Sequence, residues 1–138
     1  MQPSYLLKPS APIAALRMLL ALVFILHAAA RIYNNSLTDF GDFLSTKGFP
    51  FGFYLAWAVT LFELLGGTLM FFRLMIKVFC IGEIIILVTG IITLHWQNGW
   101  FVVGLSLGGI EYSVVLITIL FAVFFAERKA ERNIAPLL

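Results

Sequence analysis

Four uninterrupted apolar windows, each about as long as a membrane-crossing helix, constrain this chain more than any other feature of its sequence. They cover residues 12–34, 51–72, 75–95 and 109–126 approximately. Only 12% of the residues are charged and 62% are apolar, whereas a soluble domain has about 25% charged residues. We therefore predict an all-α membrane protein, a four-helix transmembrane bundle that forms a single domain over residues 1–138.

The composition also excludes several classes of function. Four crossings would use most of the apolar residues, which leaves no room for a soluble catalytic domain. The net charge of +2 and the absence of any basic run longer than Arg128-Lys129 argue against nucleic-acid binding. The single cysteine, Cys80, cannot form an internal disulfide or a thiolate metal cage, and we predict no metal site. Redox chemistry would have to come from a bound cofactor or a partner protein.

The basic residues that flank the windows predict the orientation of the chain in the membrane, because basic flanks stay on the cytoplasmic side. One side collects Lys8, Arg73, Lys77, Arg128, Lys129 and Arg132, and the other collects Lys47 and Arg31. Both termini should therefore be cytoplasmic. The order of Lys8 and Arg17, then Met18 to Leu26, then Ala28-Ala29-Ala30 also fits a signal peptide with its cleavage site, but we prefer a membrane span.

The two outer connections carry more than linker sequence. Ser36 to Asp39 fits a capping box, and the apolar spacing that follows predicts a short helix over Leu37 to Thr46 on the outer membrane surface. The other connection, Trp96 to Gly108, is rich in tryptophan and glycine, including Gly104. Its aromatic residues are expected at the membrane interface, where the loop would form a cap over the bundle.

Ionisable side chains inside the spans are the candidate functional residues, because a charge in lipid must find protein or water as a partner. By depth along the helices they form an outer group, His27, Arg31, His95 and Glu111, and an inner group, Arg17, Glu63 and Glu83. We predict that Arg31 pairs with Glu111, with the two histidines beside them. In the inner group, Arg17 should pair with one of the two carboxylates.

The outer group has two interpretations. Paired charges can simply hold helices in register. Alternatively, His27 and His95 could exchange protons with a lipid-soluble ligand, or hydrogen-bond its carbonyl groups, because histidine titrates near neutrality. Small residues such as Gly66-Gly67 are expected to permit close helix packing rather than to act as a hinge.

The order and spacing of several motifs resemble the DoxX family of small bacterial membrane proteins with four spans. The motifs are Arg17 followed by His27-Ala28-Ala29-Ala30-Arg31, Gly48-Phe49-Pro50, Glu63-Leu64-Leu65-Gly66-Gly67, His95-Trp96-Gln97-Asn98-Gly99-Trp100-Phe101 and Gly108-Gly109-Ile110-Glu111-Tyr112. The chain departs from the family at Ala28, where glycine is commoner, and at Arg31, where lysine is commoner.

The resemblance implies a bacterial inner-membrane protein similar to small subunits of thiosulfate:quinone oxidoreductase, or to relatives that accompany redox and sulfur-handling proteins. We therefore expect a subunit that binds quinone or another lipid-soluble ligand at His27, Arg31, His95 and Glu111, together with a protein partner. A non-catalytic anchor or assembly factor is the alternative. A proton path through Glu63 and Glu83 is less favoured, since no broken helix pair is evident. The sequence leaves both catalysis and oligomer formation open.

Overall fold

The computed structural model describes residues 10–102 and 108–134, with side chains through Glu127. These residues form helices and no strand. Within them lie five α-helices: α1 (Ala11–Tyr33), α2 (Leu37–Thr46), α3 (Gly52–Phe71), α4 (Ile76–Gly90) and α5 (Glu111–Ile134). The last turns of the α4 segment are a π-helical turn, Ile91–His95, and a 3₁₀ turn, Trp96–Asn98. The predicted all-α class is confirmed.

Three helical segments among the described residues are long and apolar enough to cross a membrane: Ala11–Tyr33, Gly52–Phe71 and Ile76–Asn98. Their bounds lie within a few residues of the first three predicted spans. The apolar part of α5 lies between Glu111 and Glu127 and measures about 22 Å at 1.5 Å per residue, which is short of the roughly 30 Å lipid core. The fourth crossing therefore stays a prediction.

Helix α5 continues well past the predicted end of the last window, at residue 126, and ends at Ile134. Its last two turns are built mainly from Glu, Arg, Lys and Ala, which have high helix propensity. Hydropathy marks the part of a helix that suits lipid and not the end of the helix, which explains the difference.

The described residues divide into two compact units. The α2–α3 unit is Ala21–Leu74 and contains the second half of α1, α2 and α3. The α4–α5 unit combines the described residues up to Leu20 with those from Met75 onward, and so contains the first half of α1, α4 and α5.

Within the α2–α3 unit, α1 and α3 run antiparallel and approach closely at Gly67. A Cβ atom on Gly67 would lie 2.9 Å from Ile25 Cγ1 and 3.2 Å from the backbone oxygen of Ala21. Farther along α1, Arg31 contacts Glu63 of α3. Residue numbers at the contacts therefore increase along α1 and decrease along α3, as they do in antiparallel helices. The predicted packing role of this glycine pair is confirmed at Gly67, where a small residue lets two membrane helices touch.

Helix α2 has the predicted bounds, and its apolar face packs on α3. Leu37 and Leu44 are buried against Ala56 of α3. The predicted capping box is wrong, however, because Ser36 makes no side-chain cap to α2. Its ψ of 9° is far from the extended conformation of a capping residue, and its hydroxyl donates instead to the backbone oxygen of Arg31 at 3.2 Å. The location of α2 on the membrane surface stays a prediction.

In the α4–α5 unit, buried side chains repeat along α5 at helical spacing: Ser113, Leu116, Leu120, Val123 and Glu127. The corresponding buried residues of α4 are Ile76, Phe79, Cys80 and Glu83. Cys80 is a free, buried thiol, in agreement with its predicted packing role.

The described ends of the Trp96 to Gly108 connection are joined through backbone hydrogen bonds; residues 103–107, including Gly104, lie outside the described residues. The backbone N–H groups of Gly109, Ile110 and Glu111 donate to carbonyls of Phe101, Gly99 and Trp100 at 3.0–3.1 Å. A Cβ atom on Gly109 would overlap the carbonyl oxygens of Trp100 and Phe101. The start of α5 is thereby held against the segment that follows α4.

Candidate functional site

Arg31 is the centre of a polar cluster in the α2–α3 unit. Its Nη1 donates to Thr60 Oγ1 at 2.7 Å and to Glu63 Oε2 at 3.0 Å. The Phe40 ring of α2 lies 4.5 Å from the guanidinium carbon, a cation–π contact. Glu63 and Thr60 are 3% and 0% exposed. One arginine therefore links α1, α2 and α3 through a buried ion pair and an aromatic contact.

The predicted partner of Arg31 was Glu111, whereas the structure pairs Arg31 with Glu63, a residue that the prediction placed in the inner group. Side chains lean toward the N-terminus of their own helix. Because α1 and α3 are antiparallel, Arg31 and Glu63 lean toward each other along the helix axes. A depth taken only from Cα positions therefore separated two side chains that meet.

His27 lies one helical turn before Arg31 on α1, and its side chain is exposed on the surface of the chain. The two residues share a side of the helix, as the sequence predicted. Arg31 turns inward to α3, whereas His27 lies at the edge of the buried stripe. The His27 imidazole is therefore accessible from the surroundings of the helix.

Arg17 has a different carboxylate partner from either predicted one. Its Nε lies 4.0 Å from Glu127 Oε1, at the outer limit of an ion pair, and both residues are less than 10% exposed. The last predicted span ends at residue 126, so Glu127 was not among the predicted residues. Helical spacing could have identified it, because Glu127 continues the row of buried α5 residues by one more turn. Glu83 is completely buried in the same unit.

His95 is oriented by a backbone carbonyl in the α4–α5 unit. Its Nδ1 lies 2.8 Å from the oxygen of Gly108, and Asn98 Nδ2 donates to the same oxygen at 3.3 Å. A carbonyl can only accept, so Nδ1 carries the proton and Nε2 of the neutral ring is an acceptor. His95 also ends the π-helical turn, a local widening that is frequent at functional sites.

Glu111 serves the local structure around the start of α5. Its Oε1 accepts a hydrogen bond of 2.8 Å from the backbone N–H of Val102. A carboxylate in the first turn of a helix also suits the positive end of the helix dipole. Glu111 therefore closes the described ends of the loop onto α5.

A comparison with known protein families identifies the family of this chain. The DoxX family pattern matches residues 13–96, which is more than half of the chain. The chain belongs to the DoxX family. No curated protein and no solved structure matches it. The DoxX match includes Arg17, His27, Arg31, Glu63, Glu83 and His95, and ends before Glu111 and Glu127.

Two members of the Arg31 cluster in this DoxX protein were not predicted from the sequence. Thr60 lies three residues before Glu63 on the same face of α3, and its hydroxyl donates to the Ala56 carbonyl at 2.8 Å while accepting from Arg31. Phe40 lies on the buried side of α2. The helical spacing from Glu63 could have found Thr60, but nothing in the sequence relates Phe40 to Arg31.

Neutralising Glu127 by Glu127→Gln is expected to destabilise this DoxX protein by about 1–2 kcal/mol, because Arg17 loses a charged neighbour in a buried place. The effect should be smaller than that of Glu63→Gln, since the Arg17 pair is 4.0 Å long and the Arg31 pair is 3.0 Å. Reversible unfolding in mixed micelles, followed by circular dichroism, measures both. A larger loss for Glu127→Gln would contradict this ranking.

Proposed function

We propose that this DoxX-family protein is a bacterial inner-membrane subunit that binds a quinone, or a similar lipid-soluble carbonyl compound, and works with a redox or sulfur-handling partner. Family membership and three membrane-length apolar helices support the membrane location. The proposal includes α5 as a fourth crossing and cytoplasmic termini. The oriented imidazole of His95 carries the ligand assignment.

The chemistry of His95 fits a ligand with oxygen atoms that gain and lose protons. With Nδ1 committed to the Gly108 carbonyl, the neutral ring offers Nε2 as a hydrogen-bond acceptor for a hydroxyl group. After protonation, Nε2 becomes a donor that can bond a carbonyl oxygen. The fixed ring orientation means that neither state requires the imidazole to turn.

The residues around His95 also suit a flat, apolar ring. Trp96 and Trp100 are 70% and 51% exposed, and both follow closely after the turn that carries the histidine. Aromatic faces of this kind stack on planar ligands. A bound quinone would supply two-electron, two-proton redox chemistry, and His95 would hold the proton at Nε2. We assign the electron-transfer centre to the partner because one cysteine and two histidines provide no obvious ligand set for haem or an iron–sulfur cluster.

Replacing His95 with leucine is expected to weaken quinone binding about tenfold, the size of one hydrogen bond of roughly 1.4 kcal/mol. The measurement is quenching of tryptophan fluorescence as a short-chain ubiquinone is titrated into nanodiscs that contain the purified protein. His95→Gln keeps a polar group at the position and should lose less. Extraction of protein purified from native membranes, with quinone identified by mass spectrometry, provides an independent test.

The matched control is Asn98→Leu, which removes the neighbouring donor to Gly108 but leaves the imidazole in place. Its quinone affinity should stay within about threefold of the unmodified protein. If His95→Leu folds normally and binds quinone as well as the parent, the ligand assignment is wrong.

A second candidate function, a non-catalytic anchor for a partner protein, is favoured by α2. Its apolar face is occupied by α3, while Thr38, Asp39 and Asp42 remain exposed on the other side. Under this hypothesis, Asp39→Asn with Asp42→Asn would remove proteins that co-purify from native membranes in mild detergent. Quinone binding at His95 would be unchanged by that double substitution, so the two functions can be separated.

A further inference from the structure

We propose that His27 and Arg31 form a binding site for one phospholipid, with the lipid phosphate beside Arg31 and an ester carbonyl beside His27. The site lies within the α2–α3 unit and is independent of the quinone proposal, which concerns His95. The site lies on the face of α1 that does not pack against α3.

The first reason is the exposure of His27. The residues beside it on the exposed face of α1 are apolar and strongly exposed, for example Leu26 at 65%. An imidazole on such a surface of a membrane-spanning helix needs a hydrogen-bond partner, since a polar side chain that faces hydrocarbon alone is costly. Among the described residues, the His27 side chain makes no hydrogen bond to another residue.

The second reason is that only one nitrogen of the Arg31 guanidinium donates hydrogen bonds to the described residues. Both of its hydrogen bonds among the described residues leave from Nη1, toward Thr60 and Glu63. The side chain is still 12% exposed. The N–H groups on Nε and Nη2 are therefore left for an acceptor outside these contacts, and a planar guanidinium suits phosphate oxygens.

The third reason is the spacing of the two donors along α1. Residues four apart are separated by about 6 Å along the helix axis. Arg31 lies two residues before the end of α1 at Tyr33, and His27 lies one turn deeper. In a phospholipid the phosphate lies nearer to water than the ester carbonyls by a similar distance, so one molecule can bond both side chains. Glu63 neutralises much of the Arg31 charge, so the site requires acceptor oxygens more than a high negative charge.

The test is native mass spectrometry of detergent-purified protein titrated with phosphatidylglycerol. We expect one tightly held lipid, and we expect His27→Leu to weaken its binding about tenfold, the size of one hydrogen bond to an acceptor of this kind. His27→Gln should restore most of the affinity because it keeps a donor. Thr68→Leu, which removes an exposed polar group from α3, should leave the lipid in place.

Four results would overturn the proposal. The first is equal lipid retention by the parent and a folded His27→Leu variant. The second is a parent protein that is dimeric and becomes monomeric on His27→Leu without losing lipid, which would make the occupant a second copy. The third is loss of quinone instead of phospholipid from His27→Leu. Equal binding of diacylglycerol and phosphatidylglycerol would remove the assigned phosphate contact with Arg31.

Discussion

Glu63→Gln should be the most damaging single substitution in this protein, with an expected loss of about 3–5 kcal/mol in the free energy of unfolding. The substitution leaves the Arg31 guanidinium charged among buried groups without its carboxylate at 3.0 Å. Removing one partner of a buried pair costs more than the pair itself contributes, because the remaining charge stays out of water. Unfolding in mixed micelles with increasing denaturing detergent measures the change.

Two control variants separate the ion pair from a general loss of charge. Glu111→Gln removes a carboxylate that accepts only a backbone N–H among the described contacts, and should cost about 1 kcal/mol. Replacing both partners, Arg31→Met with Glu63→Met, should recover most of the stability lost in Glu63→Gln, since an apolar pair of similar size suits the site. Equal stability of Glu63→Gln and the parent would show that the ion pair does not stabilise the folded protein.

Gly52→Ala should give the second largest effect, a loss of about 3 kcal/mol at the upper end of overpacking costs. The Cβ atom would overlap the backbone oxygen of Gly41 and the Ser45 hydroxyl, and would lie 2.9 Å from the Ser45 backbone nitrogen. Two of these three contacts are backbone atoms of α2, which cannot move without moving the helix. Thermal unfolding measured by circular dichroism in detergent gives the loss.

Gly90→Ala is the matched control, because it is a second helical glycine with no atom within 4 Å of the added Cβ. Alanine has the higher helix propensity, so this variant should be neutral or more stable by up to about 1 kcal/mol. A Gly52→Ala protein as stable as Gly90→Ala would mean that α2 does not pack on α3 as described.

The sequence predicted the helices of this protein better than the contacts between them. Local patterns were sufficient for α2 and for the first three apolar helices, because apolar length and helical spacing depend only on neighbouring residues. The same patterns identified Arg17, Arg31 and Glu63 as buried ionisable residues, since a charge inside an apolar window stands out in any fold.

The sequence did not predict the interaction partners of these residues correctly. Depth along each helix assigned Glu63 to Arg17 or left it without a cation, and the structure gives it to Arg31. Glu127 was missed because hydropathy ended the last window one residue before it. In both cases the outcome depends on how a long side chain leans and on which helix faces which, and neither is encoded in a single window.

Amino-acid composition and apolar length by themselves determined that the chain is helical and suited to a membrane, because the hydrophobic effect and backbone hydrogen bonding in lipid allow few other solutions. Only the tertiary structure decided that Arg31 bonds Thr60 and Glu63, and that the Gly108 carbonyl fixes the proton of His95 on Nδ1. Hydrogen bonds act over about 3 Å, so they are set by the packing of distant segments and not by position along the chain.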